Sequence, residues 1–310
     1  MVFTHEQKTK IIPDALSRYL QEKGICVAEF AKKSKVTRNY VDVILMGGLK
    51  FQNTVISDRY YQNICDFIGL TIENEVWKHF DTDNYAIVTG AIDNARKRKR
   101  RVIIDGDTGS GKSYACHAYK KAVPQGTYIV TFSGSGNPRE LVKNIAEVVG
   151  VDAIGTAGTI INNIVQELTK KDYNTVLVID ECEHIQEKPG YINHIKSLAD
   201  GLEGKCGFVL CGMDINYLME TKYNHKKQNY RQTYSRFSKR VFCTENIYED
   251  INRICEELKL SPSVCTWLKN NAKDFRVLRE MVEDAFDESE KTGEPVNLAL
   301  LETLYPNARQ

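Results

Sequence analysis

Eight residues, Gly106-Asp107-Thr108-Gly109-Ser110-Gly111-Lys112-Ser113, constrain this chain more than any other feature of it. They follow the apolar run Val102 to Asp105 and open a helical pattern from Lys112 to Lys121. Glycines in such a turn let the backbone wrap an anion. Exposed amides and the helix N-terminus bind it, and the lysine and serine supply a cation and a hydroxyl. The strand, loop and helix order predicts a phosphate-binding loop. It places Gly106, Asp107, Thr108, Gly109, Ser110, Gly111, Lys112, Ser113 and Tyr114 at a nucleotide, with Lys112 on the β- and γ-phosphates and Ser113 on magnesium.

A second apolar run, Val176 to Ile179, delivers Asp180 and Glu181 to its C-terminal end, where ligands gather in parallel sheets. Alone, two acidic residues there would be helix caps. With the loop upstream, Asp180 is expected to hold Mg2+ through its water shell, and Glu181 to polarise the water that attacks the γ-phosphate of ATP. The expected activity is hydrolysis of ATP to ADP and phosphate, with ATP and Mg2+ as cofactors.

From Arg101 onwards short apolar runs alternate with helical patterns, as in a parallel sheet covered on both faces. The expected strands are Val102 to Asp105, Tyr128 to Phe132, Val176 to Ile179, Gly207 to Leu210 and Lys239 to Cys243. Helices are expected near Lys112 to Lys121, Pro138 to Val149, Thr159 to Lys171, Gly190 to Leu202 and Ile215 to Met219. The fold class is α/β, divided into a helical helix-turn-helix-like domain over 1–77, a nucleotide-binding core over 78–245 and a C-terminal helical lid over 246–310.

In the first segment the apolar positions fit helices, with no convincing strand. Val27, Phe30, Ala31, Val36, Val41, Ile44 and Leu45 fit two short helices around a turn at Ser34 to Val36, with the Thr37 hydroxyl capping the second helix. Arg38 and Asn39 then project where such a motif meets DNA, although a helical bundle with solvated charges fits the same pattern. A further helix, Tyr85 to Ala95, runs into Arg96, Lys97, Arg98, Lys99, Arg100 and Arg101. Such a run suits a nucleic-acid backbone, or a helix end whose dipole it complements. Residues 1–101 hold 17 Lys and Arg against 12 Asp and Glu, whereas the whole chain carries a net charge of only +1. That balance tilts this part of the chain towards DNA, and double-stranded DNA is the expected partner. Loops after the second sheet strand and after Asp180 add Arg139 and Lys188 as DNA candidates.

Nine cysteines lack zinc-ligand spacing and read as reduced thiols in cores. No apolar run approaches the length that spans a bilayer, so a cytoplasmic protein without a membrane partner is expected. Arg236, Lys239 and Arg240 lie at or before the last strand. A cation there, Arg236 first, can act on the nucleotide of a neighbouring subunit or belong to a surface patch. Arg276, at the start of a helical pattern, can reach ATP from the lid or be an exposed helix-start arginine.

The order of GDTGSGKS, VLVIDECEH, GFVLCGMD, YSRFSKR and KDFRVL resembles the AAA+ ATPases of DNA transposition over nearly the whole chain. The resemblance implies a DNA-stimulated ATPase that assembles on DNA as a homo-oligomer or filament, marks target DNA, and recruits and stimulates a DDE-type transposase. It also implies that Arg236 acts in trans and that Arg276 is a second sensor. One departure stands out: Met213, followed by Asp214, occupies the position where the family carries a polar first sensor. A helicase-loader-type ATPase, or a DNA-binding switch with little turnover, remain the alternative readings, and Met213 supports the switch.

Overall fold

A computed structural model describes residues 3, 5, 7–70, 76–132, 136–225 and 227–308 of the chain. Residues 1–78 and 282–296 form one compact unit, and residues 79–281 and 297–310 form another.

The first unit opens with helices α1 (Ile12–Lys23), α2 (Val27–Ser34) and α3 (Arg38–Leu45). The α2–turn–α3 pair lies where the apolar spacing put it. Phe30, Val41 and Ile44 are buried with Ile12 and Leu16 of α1, so the small core forms from one stripe of each helix. Lys35, in the left-handed region at φ 57°, makes the turn. Thr37 does occupy the N-cap position of α3, but its side chain makes no capping hydrogen bond, contrary to expectation. The turn already satisfies part of the helix start, since Thr37 O accepts from Tyr40 N and Val41 N. The unit is also not wholly helical. Strands β1 (Lys50–Phe51) and β2 (Thr54–Val55) form an antiparallel hairpin before α4 (Asp58–Ile68). Two-residue strands are too short to show an alternating pattern in sequence.

The second unit is a five-stranded parallel sheet with helices on both faces. Helix α5 (Asp83–Arg98) leads into β3 (Arg101–Asp105), followed by α6 (Lys112–Ala122), β4 (Thr127–Thr131), α7 (Pro138–Val149) and α8 (Ala157–Thr169). Then come β5 (Val176–Asp180), a short 3-10 helix at Cys182–Glu187, α9 (Pro189–Gly201), β6 (Gly207–Gly212), α10 (Ile215–Asn224), α11 (Gln228–Tyr234) and β7 (Lys239–Phe242). All five expected sheet strands are present. Helix α11 was not anticipated, because it buries Thr233 and Tyr234 rather than an aliphatic stripe. The C-terminal helices are α12 (Tyr248–Glu257), α13 (Pro262–Asn271), α14 (Phe275–Thr292) and α15 (Leu298–Leu304).

The strand order is β4-β5-β6-β3-β7, with parallel pairing throughout. Alternate residues of each strand feed two cores. Ile103, Leu177, Ile179, Phe208 and Leu210 pack with α7, α8 and α9, while Val102, Ile104, Val176, Val178 and Val209 pack with α5 and α6. Strands β5 and β6 are buried on both faces, which explains their continuous apolar runs, whereas edge strand β7 alternates half-buried and exposed residues. Helix α7 is fixed at its start by a capping box, in which Asn137 accepts from Glu140 N while the Glu140 carboxylate accepts from Asn137 N. Replacing fully buried Leu177 by Ala is expected to destabilise this unit by about 2–5 kcal/mol, read as a lower urea midpoint at unchanged slope.

Candidate nucleotide site

Register brings the site together. Asp105, the last residue of β3, pairs with Gly212 of β6, and Ile179 of β5 pairs with Leu210 of β6. The ends of β3, β5 and β6 therefore share one sheet edge, with β6 in the middle. That edge carries Gly106 to Ser113, Asp180 with Glu181, and Met213.

The loop closes on itself around Lys112, which is buried. Its Nζ donates to Gly106 O at 2.8 Å, Asp107 O at 2.7 Å and Ser110 Oγ at 3.3 Å. All three acceptors are neutral, and phosphate oxygens are stronger acceptors for an ammonium than carbonyls. Gly109 and Gly111 have φ of 78° and 88°, the left-handed region where a side chain costs energy. Gly109 also lies against the Asp274 carboxyl, where a Cβ would collide. Ser113 is exposed on the first turn of α6.

Asp180 is 1% exposed, and its Oδ1 accepts from Glu181 N at 3.0 Å. Glu181 sits at φ 58°, ψ 39°. This left-handed residue turns the chain so that Glu181 stays exposed while Cys182 re-enters the core. A non-glycine in that region costs on the order of 1–2 kcal/mol, here at the residue read from sequence as the base.

Glu183 follows the acidic pair and has no signal of its own in the sequence. Its Oε2 accepts from Met213 N at 3.2 Å and fills the space beside Gly212, tying the turn after β5 to the end of β6. Met213 lies against the phosphate loop, where Thr108 Oγ1 donates to its Sδ at 3.4 Å. The next residue, Asp214, is exposed at φ 55° and lines a groove of about 370 Å³ with Glu183, Met213, Tyr217, Leu218, Thr221 and Lys222. Behind the loop, Asp105 Oδ2 accepts from Asn216 N at 2.8 Å, and Asn216 Oδ1 accepts from Tyr234 Oη at 3.1 Å.

An aromatic shelf borders the same helix start. His79 Nδ1 and Tyr114 Oη are 2.9 Å apart with their rings stacked at 24°, and Tyr85 meets the His79 ring edge-on at 4.5 Å. Such a surface can stack a planar base. Of these residues the sequence motif marked only Tyr114, because His79 and Tyr85 lie outside the loop.

Arg276 is exposed on the first turn of α14. That turn is held on the phosphate loop, since Phe275 N donates to Gly109 O at 3.1 Å and Asp274 Oδ1 accepts from Arg276 N and Val277 N. Arg236 is placed differently. Its guanidinium pairs with Asp200 of α9 and donates to Gln232 O, both in its own chain. Arg240 stacks over the Tyr234 ring at 4.1 Å.

The DNA candidates form three groups. Arg38 and Asn39 are exposed on α3, with Arg38 Nε 3.7 Å from Asp42. In the basic run Arg96 donates to Gln125 O, Lys97 pairs with Asp93 at 2.8 Å and Arg101 pairs with Glu203, while Arg98, Lys99 and Arg100 are exposed. Arg139 and Lys188 are each held by a backbone carbonyl: Lys188 Nζ donates to Gly136 O at 2.7 Å and Arg139 donates to Gly155 O at 2.6 Å.

Seven of the nine cysteines are buried, and all nine are free thiols. Burial raises the pKa of Cys243 beside the loop and holds that of Cys182 well above its ordinary value. For Cys211 the main cause is a hydrogen bond with Cys116, followed by burial. These thiols stay protonated at neutral pH, which makes them core residues rather than nucleophiles.

A five-stranded parallel sheet in this order, with a phosphate loop after β3 and an acidic pair after β5, is the P-loop fold of AAA+ proteins. The family model of the AAA domain matches residues 95–218. The DNA-bound Orc1 protein of Aeropyrum pernix is similar in structure, with a TM-score of 0.54 at 15% identity over 76% of this chain and 67% of that one. Domain III of the Thermotoga maritima replication initiation protein DnaA aligns with a TM-score of 0.49 at 15% identity, covering 77% of this chain and 98% of that chain. The T. maritima RuvB Holliday junction branch migration motor aligns at 0.48 and 13%, covering 72% and 68%. At these identities the likeness is one of fold. No curated protein matches the sequence.

Gly109→Ala is expected to lower stability by about 1–3 kcal/mol, because the substitution meets both a left-handed φ and the Asp274 carboxyl. Thermal unfolding checks this, and an unchanged midpoint would show that the loop yields freely.

Proposed function

We propose that this chain is an ATP-dependent DNA-binding ATPase that assembles on double-stranded DNA as an oligomer or filament, marks target DNA, and recruits and stimulates a DDE-type transposase. The observation that carries the nucleotide part is the buried Lys112 ammonium at the centre of a glycine loop, on the sheet edge that also carries Asp180 and Glu181. The transposition part rests on the motif order, which resembles that of MuB, the target-selection ATPase of phage Mu. The functional division proposed is DNA binding by 1–77, ATP hydrolysis by 78–245 and a lid over 246–310.

In this reading Lys112 and the loop amides hold the β- and γ-phosphates, and Arg276 reaches them from the start of α14. The Ser113 hydroxyl and the Asp180 carboxylate are hard oxygen donors, a set that fits Mg2+, which keeps most of its waters and takes few protein ligands. Bound there, the ion would neutralise phosphate charge. Glu181 orients the attacking water and accepts its proton. Arg236 stabilises charge on the γ-phosphate of the next subunit, exchanging Asp200 of its own chain for that phosphate.

The contact of Thr108 with Met213 favours a second reading, a switch with little turnover. A thioether cannot donate a hydrogen bond, so the usual polar link from β6 to the γ-phosphate is missing. The acidic pair after β5 favours the hydrolytic reading.

Lys112→Ala is expected to weaken ATP binding by 10-fold or more, about 1.4 kcal/mol, in a titration with fluorescent nucleotide. Glu181→Gln should bind ATP normally, turn it over slowly and stabilise the DNA-bound assembly seen by electron microscopy. Normal steady-state turnover in that variant would favour another base. If Arg236 acts in trans, inactive Arg236→Ala and inactive Lys112→Ala proteins mixed on DNA recover part of the activity. No recovery in co-assembled mixtures assigns Arg236 to its own subunit. Neutralising Arg98, Lys99 and Arg100 should flatten the salt dependence of DNA binding, by up to about 0.9 in slope for each phosphate these side chains neutralise.

A further inference from the structure

The hairpin after α3 has no place in the sequence reading. Lys50 pairs with Val55 and Phe51 with Thr54, leaving Gln52 and Asn53 as a two-residue turn. Gln52 adopts φ 53°, a conformation that glycine takes freely and glutamine does not. Glycine would make this turn at lower cost, so Gln52 places a carboxamide at the tip at some backbone cost.

The hairpin is fixed to the first turn of α3. Its Phe51 ring meets the Tyr40 ring edge-on at 6.0 Å, and Tyr40 meets Tyr60 at 4.9 Å. Its stem is closed by Ile56 N donating to Leu49 O at 2.9 Å and by Gly48 N donating to Val43 O at 2.9 Å, while Tyr61 Oη donates to Gly48 O at 3.3 Å. Tyr40 follows Arg38 and Asn39 directly, so the hairpin and these two exposed side chains are anchored on one helical turn. Lys50, Gln52, Asn53, Thr54 and Val55 are all exposed. Between Asp42 and Asp58 the sequence holds no acidic residue.

We infer that residues 50–55 form a wing that grips duplex DNA beside the stretch met by α3, an inference that rests on the DNA-binding reading above. An ammonium, two carboxamides and a hydroxyl on a rigid projecting ribbon match what DNA offers outside the major groove. Phosphate oxygens accept from Lys50, and the minor-groove floor carries purine N3 and pyrimidine O2 acceptors for Gln52 and Asn53. Residues 43–57 carry no carboxylate, so the hairpin itself brings no negative charge to the backbone. The ring contacts hold wing and helix at a constant separation, so both can engage one duplex without ordering a loop on binding.

The test uses the full-length chain with a wing variant, Lys50→Ala, Gln52→Gly, Asn53→Ala and Thr54→Ala together. Gln52→Gly relieves the backbone, and thermal unfolding checks that the unit is intact. If this variant does not fold, Lys50→Ala alone replaces it. Duplex affinity is measured across salt concentrations, with hydroxyl-radical footprinting. The expected result is an affinity reduced by about 10-fold, a salt slope reduced by about 1 through Lys50, and disappearance of protection on one minor-groove flank of the footprint. For Lys50→Ala alone the reduced slope is the expected result, and a wild-type slope overturns the phosphate contact. Wild-type affinity and footprint in the wing variant overturn the inference, whether or not Arg38→Ala weakens binding. If the unsubstituted chain binds no duplex at any salt concentration, the DNA-binding reading itself fails and takes the wing with it. If the chain binds but neither α3 nor wing variants change the footprint, DNA binding stands, the wing is overturned, and the duplex is held elsewhere on the chain.

Discussion

The backbone pairing of β6 between β3 and β5 is the constraint on which the rest of the second unit depends. Parallel register carries Asp105, Asp180 and Gly212 to one edge, though they lie far apart in sequence. With neighbouring strands about 4.8 Å apart, the phosphate loop and the acidic pair stand roughly 10 Å from each other across β6. That gap suits a phosphate chain and its counter-ion. A slip of one residue in β6 would exchange its two buried faces, setting Phe208 and Leu210 against α5 and α6 instead of α7 to α9. Core packing therefore enforces the site's geometry.

Charge at this edge is handled by placement. Lys112 is buried among neutral carbonyl acceptors, whereas Arg236 is matched to a carboxylate of its own chain. The two basic groups thus have different ground states. One is held within its own loop, and the other is paired with Asp200, a pairing that the proposed action on another subunit would have to break. The path from Asp105 through Asn216 to Tyr234 ties the strand before the loop to the helix that precedes Arg236. Tyr234 also carries Arg240 on its ring.

The first unit shows how local geometry can be legible while its details are not. The α2–turn–α3 pair follows from apolar spacing, yet the Thr37 hydroxyl does not cap α3, because backbone hydrogen bonds of the turn take up part of the helix start. Its hairpin depends on Tyr40, Tyr60 and Tyr61, aromatic residues on two different helices. A two-residue strand has no periodicity to read, and its stability comes from side chains well outside it.

Sequence alone determined the elements whose physical signal is local: the five sheet strands, the helix from Pro138 to Val149, and a glycine loop with the pattern of a phosphate site. It marked Lys112, Ser113, Asp180 and Glu181 because each follows directly from a strand end or a helix start. Tertiary structure decided what depends on neighbours far along the chain. Glu183 joined the site only when the turn after β5 met the end of β6, and His79 only when its ring came to lie on Tyr114. Arg276 gained its place through the bond of Phe275 to Gly109, and Arg236 its partner through α9. Helical and strand periodicities are written in a few consecutive residues. The strand order that sets which ends are neighbours is chosen by burying both sheet faces at once, which no single segment specifies.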